Sequence, residues 1–392
     1  LGGGARAQAL SAGAAATSPL FLAGFHLLST AAFDMFFWAA ISFVVLRFLR
    51  TGDDRLLVVL GGLAGLALMN KLNVAFFLVA LTIGLLLGGR PDVLRNQRFW
   101  TGAQVALVIW APNIIWNAQH HWASISMMHQ LHAENSGLGA SLGFLPSQLF
   151  VVGPLLAVLW VAGLVWLLRS RLGRPFGIAY IALAAWYVVT GGKSYYLAGM
   201  YFVLLAAGSV WAEARLRSAR RVAAVMLIGL IAALPLALPV LPESALARSS
   251  WEGNVNKDLS ATVGWPTFVG QVAQVAATLP PDQRAHLVVF TGDYGAAGAV
   301  DLYGPRYGLP HAVSGHNNYW WWGPPKASIG TTTIAVNLPR RYLLTIFSQV
   351  TPAGTVATPG NVWTEERGDP IWICRQQKLS WQAAWPAARH YG

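Results

Sequence analysis

The chain has 392 residues, 55% of them hydrophobic and only 11% charged, with a mean hydropathy of +0.49. That composition excludes an ordinary soluble enzyme and implies an integral membrane protein. The formal charge of +12 does not imply nucleic acid. The basic residues stand mostly in short clusters between apolar runs, where topology accounts for them. A single cysteine, Cys374, excludes an internal disulfide and a cysteine-based metal cluster.

A weakly polar start, LGGGARAQALSAGA, leads into an apolar stretch read as a first helix over residues 8–29, which Pro19 can kink or start. The returning helix, about 31–49, orients the rest. Its run FDMFFWAAISFVVLRFLRTGDDR carries Asp34 at one end and Arg47, Arg50 and Arg55 at the other. Basic residues stay on the cytoplasmic side, so Asp34 lies near the opposite face. An ionisable group at membrane depth is expensive to keep, which makes Asp34 the first functional candidate.

Residues 55–88 are almost continuously apolar, broken by Asn70, Lys71 and Asn73. One helix of that length would measure about 50 Å, well beyond a hydrocarbon core. Two short helices meeting at Asn70–Asn73 fit better and bring Lys71 to the side of Asp34. Further helices are expected at about 99–116, 145–168, 176–190, 194–212 and 222–241, nine in all. Residues 117–143 read as an outer loop holding His120, His121, His129, His132 and Glu134. In this scheme Arg6 and the clusters Arg47–Arg55, Arg90–Arg98, Arg169–Arg174 and Arg215–Arg221 face inside, leaving Lys71 and Lys193 outside.

The pattern changes after residue 242. Residues 1–242 form the polytopic membrane domain and 243–392 a small extracytoplasmic α/β domain. In the second, WPTFVGQVAQVAATLP reads as an amphipathic helix, HLVVFTG as a strand and YGAAGAVDLYG as a helix. TTTIAVN, a helix-like RRYLLTIFSQV and PIWICR continue the alternation. Neither a dinucleotide fingerprint nor a P-loop occurs there.

Asp34, Lys71 and Lys193 converge by topology. A structural explanation is that Asp34 pairs with a lysine to hold helices together; the functional one is contact with substrate or metal. Lys193 is suited to a lipid phosphate, because Gly191 and Gly192 precede it and Tyr195, Tyr196 and Tyr201 follow. Glycines let backbone approach a ligand, and tyrosines offer hydroxyls and ring faces to a sugar. Asn113, Trp116 and Gln119 are the outer-loop residues nearest the membrane. The histidine spacing matches no short zinc motif; no metal site is assigned and no cofactor is identified, with a divalent cation left as an open alternative. In SGHNNYWWWGPP, His316 and Asn317 beside four aromatics suit a sugar or headgroup, or else pack the domain onto the bilayer.

FHLLSTAAFDMFFWAA, LMNKLNV, PNIIWNAQHHW, GGKSYYLAGMYFVLLAAG, VGWPTFV, GDYGAAGAVDLYGPRYGLP, SGHNNYWWWGPP, ERGDPIWICR and the tail ARHYG together resemble bacterial members of the dolichyl-phosphate-mannose protein mannosyltransferase-like superfamily. These are multi-pass GT-C glycosyltransferases, a group that includes the lipid A aminoarabinose transferase. The resemblance runs from about residue 5 to the end. It implies a polyprenyl-phosphate-sugar donor, an extracytoplasmic acceptor in the cell envelope (lipid, glycan or protein), inversion at the anomeric carbon, and location in the bacterial inner membrane. It further implies that Lys193 and Tyr196 hold the donor phosphate, that Lys71 matches the lysine of a short hairpin, and that Asp34 is a second acidic position. The family's first-loop aspartate has no counterpart here, so the resemblance implies that this part of the family precedes the chain. Asp34 is then the catalytic candidate left in the membrane helices. A transporter and a catalytically inactive accessory membrane protein are the competing classes.

Overall fold

A computed structural model describes residues 1–135, 137–215, 218–247, 257–326 and 331–391. The side chains of Glu134, Arg217 and Arg220 lie outside the described residues. The chain divides into two compact units, Leu1–Leu238 and Pro239–Gly392. The first is an α-helical bundle and the second carries a small β-sheet.

In the first unit the opening stretch forms two helices rather than the single one expected, α1 (Ala5–Thr17) and α2 (Pro19–His26). Pro19 lacks an amide hydrogen and forces Ser18 into an extended conformation, so the helix cannot run through. α3 spans Thr30–Thr51 and stops at Gly52, whose φ of 70° gives a left-handed cap bonded to the Phe48 carbonyl. α4 (Arg55–Asn70) and α5 (Asn73–Leu87) are the two short helices expected around Lys71.

α6 (Gln97–Gln119) lies against α4 at close range. A β-carbon on Gly61 would stand 2.0 Å from the Gly102 carbonyl oxygen, and one on Gly102 would stand 2.3 Å from that of Leu57. Small residues here let two backbones touch.

Residues 117–143 are not the expected loop. They contain α7 (Ala123–Asn135) and the start of α8 (Leu138–Val152). The chain turns between α6 and α7 at His121 and Trp122, both left-handed at φ 54° and 55°. The polar residues of α7 hide any apolar stripe, which is why its sequence reads as a loop. The helix expected over 145–168 is likewise broken, with α8 and α9 (Ala157–Arg169) bent by 94° around Gly153 and Pro154. α10 (Arg174–Thr190) is followed by a 3₁₀ turn, Ser194–Met200, which runs into α11 (Tyr201–Arg215); α12 covers Ala219–Ala237. Among the described residues, Thr30–Thr51 and the continuous Ser194–Arg215 are long and apolar enough to cross a membrane, and the bent α8–α9 pair is either a broken third span or a re-entrant loop. The core closes on large side chains, with Trp38 stacked on Phe77 at 4.2 Å and Tyr201 and Phe176 fully buried.

The second unit holds a five-stranded sheet of order β2-β1-β3-β5-β4. β1 (Val288–Thr291) pairs in parallel with β2 (Ala312–Ser314) and β3 (Thr333–Val336). β5 (Pro370–Gln377) pairs antiparallel with β3 and with β4 (Phe347–Thr355). The helix expected over RRYLLTIFSQV ends at Ile346, and FSQV belongs to β4, where Phe347 and Val350 point into the core. β2 and the last helix, Trp381–Ala388, have no forerunner in the sequence reading. Cys374 is buried in β5, and burial pushes its thiol up to about 12. It therefore behaves as a small apolar side chain.

Burial, and then the negative charge of Asp293, holds the carboxyls of Glu366 and Asp369 above the usual range. A carboxyl raised in the folded chain adds stability below about pH 4 that is lost as pH rises through its folded value. Asp369→Asn is therefore expected to raise the melting temperature of the full chain at pH 7 and to lose that advantage near pH 4. Thermal unfolding at the two pH values checks this; a variant that melts lower than its parent at pH 7 would contradict it.

Candidate functional site

Four elements of the helical unit meet around Asp34. The carboxylate lies in the first turns of α3 and is 7% exposed. Its Oδ1 accepts a hydrogen bond from Trp38 Nε1 at 2.9 Å and its Oδ2 accepts one from Asn73 Nδ2 at 3.0 Å. The same Asn73 nitrogen donates to the Tyr196 carbonyl at 3.3 Å, and the Tyr187 hydroxyl donates to Asn73 Oδ1 at 2.7 Å. Asp34 makes no ion pair among the described residues, so neutral donors, not a lysine, hold it in place. Each oxygen keeps the lone-pair capacity for a further hydrogen bond.

Lys71 caps α4 in an extended conformation, because the helix breaks there. Asn70 fixes the break by donating to the Thr30 carbonyl at 2.9 Å. The Lys71 ammonium then lies 5.1 Å from the centre of the Tyr195 ring and 5.5 Å from that of Tyr196, within cation–π range. It is close enough to feel the charges of both Asp34 and Lys193.

Lys193 belongs to a cavity of about 440 Å³. One wall is α8, through Gly139, Gly143, Phe144 and Ser147; the other is the turn from Gly191 to Tyr195. Lys193 is half-buried, and its ammonium makes no hydrogen bond or ion pair among the described residues. Below the cavity, Gln148 is completely buried. Its Nε2 donates to the carbonyls of Ser194 at 3.0 Å and Phe144 at 3.1 Å, and its Oε1 accepts from the Tyr201 hydroxyl at 2.9 Å.

The structure thus brings Asp34, Lys71, Lys193, Tyr195 and Tyr196 into one neighbourhood, although Asp34 does not line the cavity. Asn113, Trp116 and Gln119 are not among its lining residues. They sit at the end of α6, where Asn113 accepts from Asn117, Trp116 stacks on His120 at 4.2 Å, and Gln119 is exposed. His132 bonds the Thr190 carbonyl at 2.7 Å. Among the described residues no group of three or more histidines, cysteines or carboxylates could hold a metal ion.

His316 and Asn317 belong to the second unit. The His316 ring stacks on His390 at 4.7 Å, and Asn317, at φ 51°, donates its amide to the His390 carbonyl at 3.0 Å. The neighbouring Trp320 and Trp385 exchange indole-to-carbonyl bonds of 2.9 and 3.0 Å, and Arg389 covers the Trp320 ring at 4.7 Å. Much of the aromatic run is thus used inside the unit. The sequence reading missed Trp38, Tyr187 and Gln148 as site residues and saw Asn73 only as a helix interruption. The available signal was a side-chain amide inside an apolar run, which must find partners when buried.

Residues 3–116 match the family model described as dolichyl-phosphate-mannose-protein mannosyltransferase. The chain is also similar to the crystal structure of ArnT from Cupriavidus metallidurans bound to undecaprenyl phosphate. The likeness has 16% identity and a TM-score of 0.54 and covers 94% of this chain and 79% of that one. No curated protein matches the chain. At this identity the likeness establishes the fold alone, shared with that ArnT structure.

Proposed function

We propose that the chain is a membrane glycosyltransferase that moves a sugar from a polyprenyl-phosphate donor to an acceptor on the extracytoplasmic side. The cavity lined by Lys193 carries this reading: an ammonium with no partner among the described residues, glycine backbone and the Tyr195 ring meet there, and ArnT of the same fold was crystallised with undecaprenyl phosphate. In the proposal Lys193, with Lys71 behind the tyrosine rings, neutralises the phosphate as it leaves. An acceptor hydroxyl attacks the anomeric carbon from the opposite face, the glycosidic bond forms, the bond to phosphate breaks, and the configuration inverts. The hydroxyl proton goes to a carboxylate, for which Asp34 is the proposed base. That role requires the acceptor to reach one of the two oxygens that Trp38 and Asn73 leave partly open. The second unit, extracytoplasmic in this reading, would contribute to acceptor choice through His316 and Asn317.

The test is transfer of labelled sugar in liposomes from a panel of polyprenyl-phosphate sugars, with the anomeric configuration of the product determined. The expected result is a product of inverted configuration from at least one donor. Solute flux without transfer would favour a transporter, and a silent but folded protein across the panel would favour an accessory role.

A further inference from the structure

Two buried side-chain amides in the helical unit are wired in the same way. Asn73 on α5 and Gln148 on α8 each receive a tyrosine hydroxyl on the carbonyl oxygen, from Tyr187 at 2.7 Å and Tyr201 at 2.9 Å. Each turns its NH₂ group to a backbone carbonyl of one short segment: Asn73 to Tyr196 at 3.3 Å, Gln148 to Ser194 at 3.0 Å. The backbone carbonyls only accept, so they fix which end of each amide is nitrogen, and each tyrosine hydroxyl then donates to the remaining oxygen. The two gripped carbonyls flank Tyr195, and Lys193 directly precedes the first.

The segment between them is a 3₁₀ turn, whose hydrogen bonding holds a backbone less firmly than an α-helix does. It also follows Gly191, left-handed at φ 69°, and Gly192, so its own sequence gives it little stiffness. External restraint has to fix it. Tyr187 is 2% exposed, Tyr201 and Gln148 are fully buried, and Asn73 is 8% exposed, so the two tyrosine-to-amide bonds are shielded from competing water, while the amide-to-backbone bonds to Tyr196 and Ser194 are part-buried.

We infer that Asn73 and Gln148 are positioning residues, a pair of tyrosine-locked amide clamps that preorganise the Lys193–Tyr196 turn for the phosphate of a polyprenyl-phosphate ligand. The inference rests on the reading of Lys193 as the phosphate-binding cation. Neither amide touches the ligand; each acts through the backbone that carries Lys193 and Tyr195. Preorganisation lowers the ordering cost of binding, so loosening a clamp weakens affinity through Lys193 and not independently of it.

A double-mutant cycle on the full chain in nanodiscs tests this, with undecaprenyl phosphate binding as the readout. Gln148→Leu is expected to weaken binding about tenfold in the parent, the effect of losing one buried hydrogen-bonded clamp. In a Lys193→Ala background the same change is expected to matter less than about twofold, because the group it positions is gone. Equal losses in both backgrounds would overturn the inference and assign Gln148 a purely structural role. Should Gln148→Leu fail to fold, Tyr201→Phe, which removes only the locking hydroxyl, is read through the same cycle. Undiminished binding by Lys193→Ala itself would instead overturn the functional reading beneath, and the inference with it. Binding alone separates these outcomes, without a transfer assay.

Discussion

Lys193→Ala is expected to reduce sugar transfer by about two to three orders of magnitude, the cost of removing one preorganised charge-stabilising group from a reaction centre. Lys193 lines the cavity, is half-buried, and has no carboxylate partner among the described residues. Its charge is therefore uncompensated until an anion arrives, and a leaving phosphate supplies one. Lys71 differs, because its ammonium already rests on the Tyr195 and Tyr196 rings. Its alanine variant is expected to lose about tenfold, as one screened, charge-assisted contact would. Initial rates at saturating and limiting donor separate the two. Equal activity of parent and Lys193→Ala across donor concentrations would remove the phosphate role from this cavity.

The second large effect concerns assembly. Gly102→Val should destabilise the helical unit by about 3 kcal/mol, at the upper end for overpacking. The new side chain begins at a β-carbon 2.3 Å from the Leu57 carbonyl oxygen, and that atom is backbone, so it cannot swing aside. Gly62→Ala is the control. A β-carbon there meets nothing within 4 Å, and replacing a helical glycine in open space is expected to add up to about 1 kcal/mol. Thermal unfolding in detergent, with both variants beside the parent, decides the matter. If Gly102→Val melts with the parent, α4 and α6 do not pack as described.

Much of the helical order was legible because it follows from strong local causes. The polar break at Asn70–Asn73 and the glycines before Lys193 interrupt apolar runs for reasons a sequence displays, whereas Pro19 reads only as a kink or start within one helix. α7 was hidden because its polar and apolar residues lack a clear period, and the bend after Val152 because the apolar run continues on both sides of Gly153 and Pro154. In the second unit β1, β3 and β5 were visible as β-branched runs. β2 was not, since three residues of strand carry no period. For the site, the charges at Asp34, Lys71 and Lys193 stood out against an apolar background. What orients them did not: Trp38, Asn73, Tyr187 and Gln148 act through partners 4 to 123 positions away. Such pairings depend on tertiary packing, which one sequence does not spell out.

The proline break after α1 and the glycine break after α8 are in contact with each other. Ser18 Oγ donates to the Val152 carbonyl at 2.7 Å, and a β-carbon on Gly153 would stand 3.1 Å from Pro19 Cδ. A helix interrupted in an apolar medium exposes backbone that water cannot satisfy, and here a serine beside one interruption answers a carbonyl beside the other. The two breaks thus form one joint. Descendants of this sequence could not straighten either helix alone without stranding the other's polar group, so Ser18, Pro19 and Gly153 should be inherited, or lost, as a set.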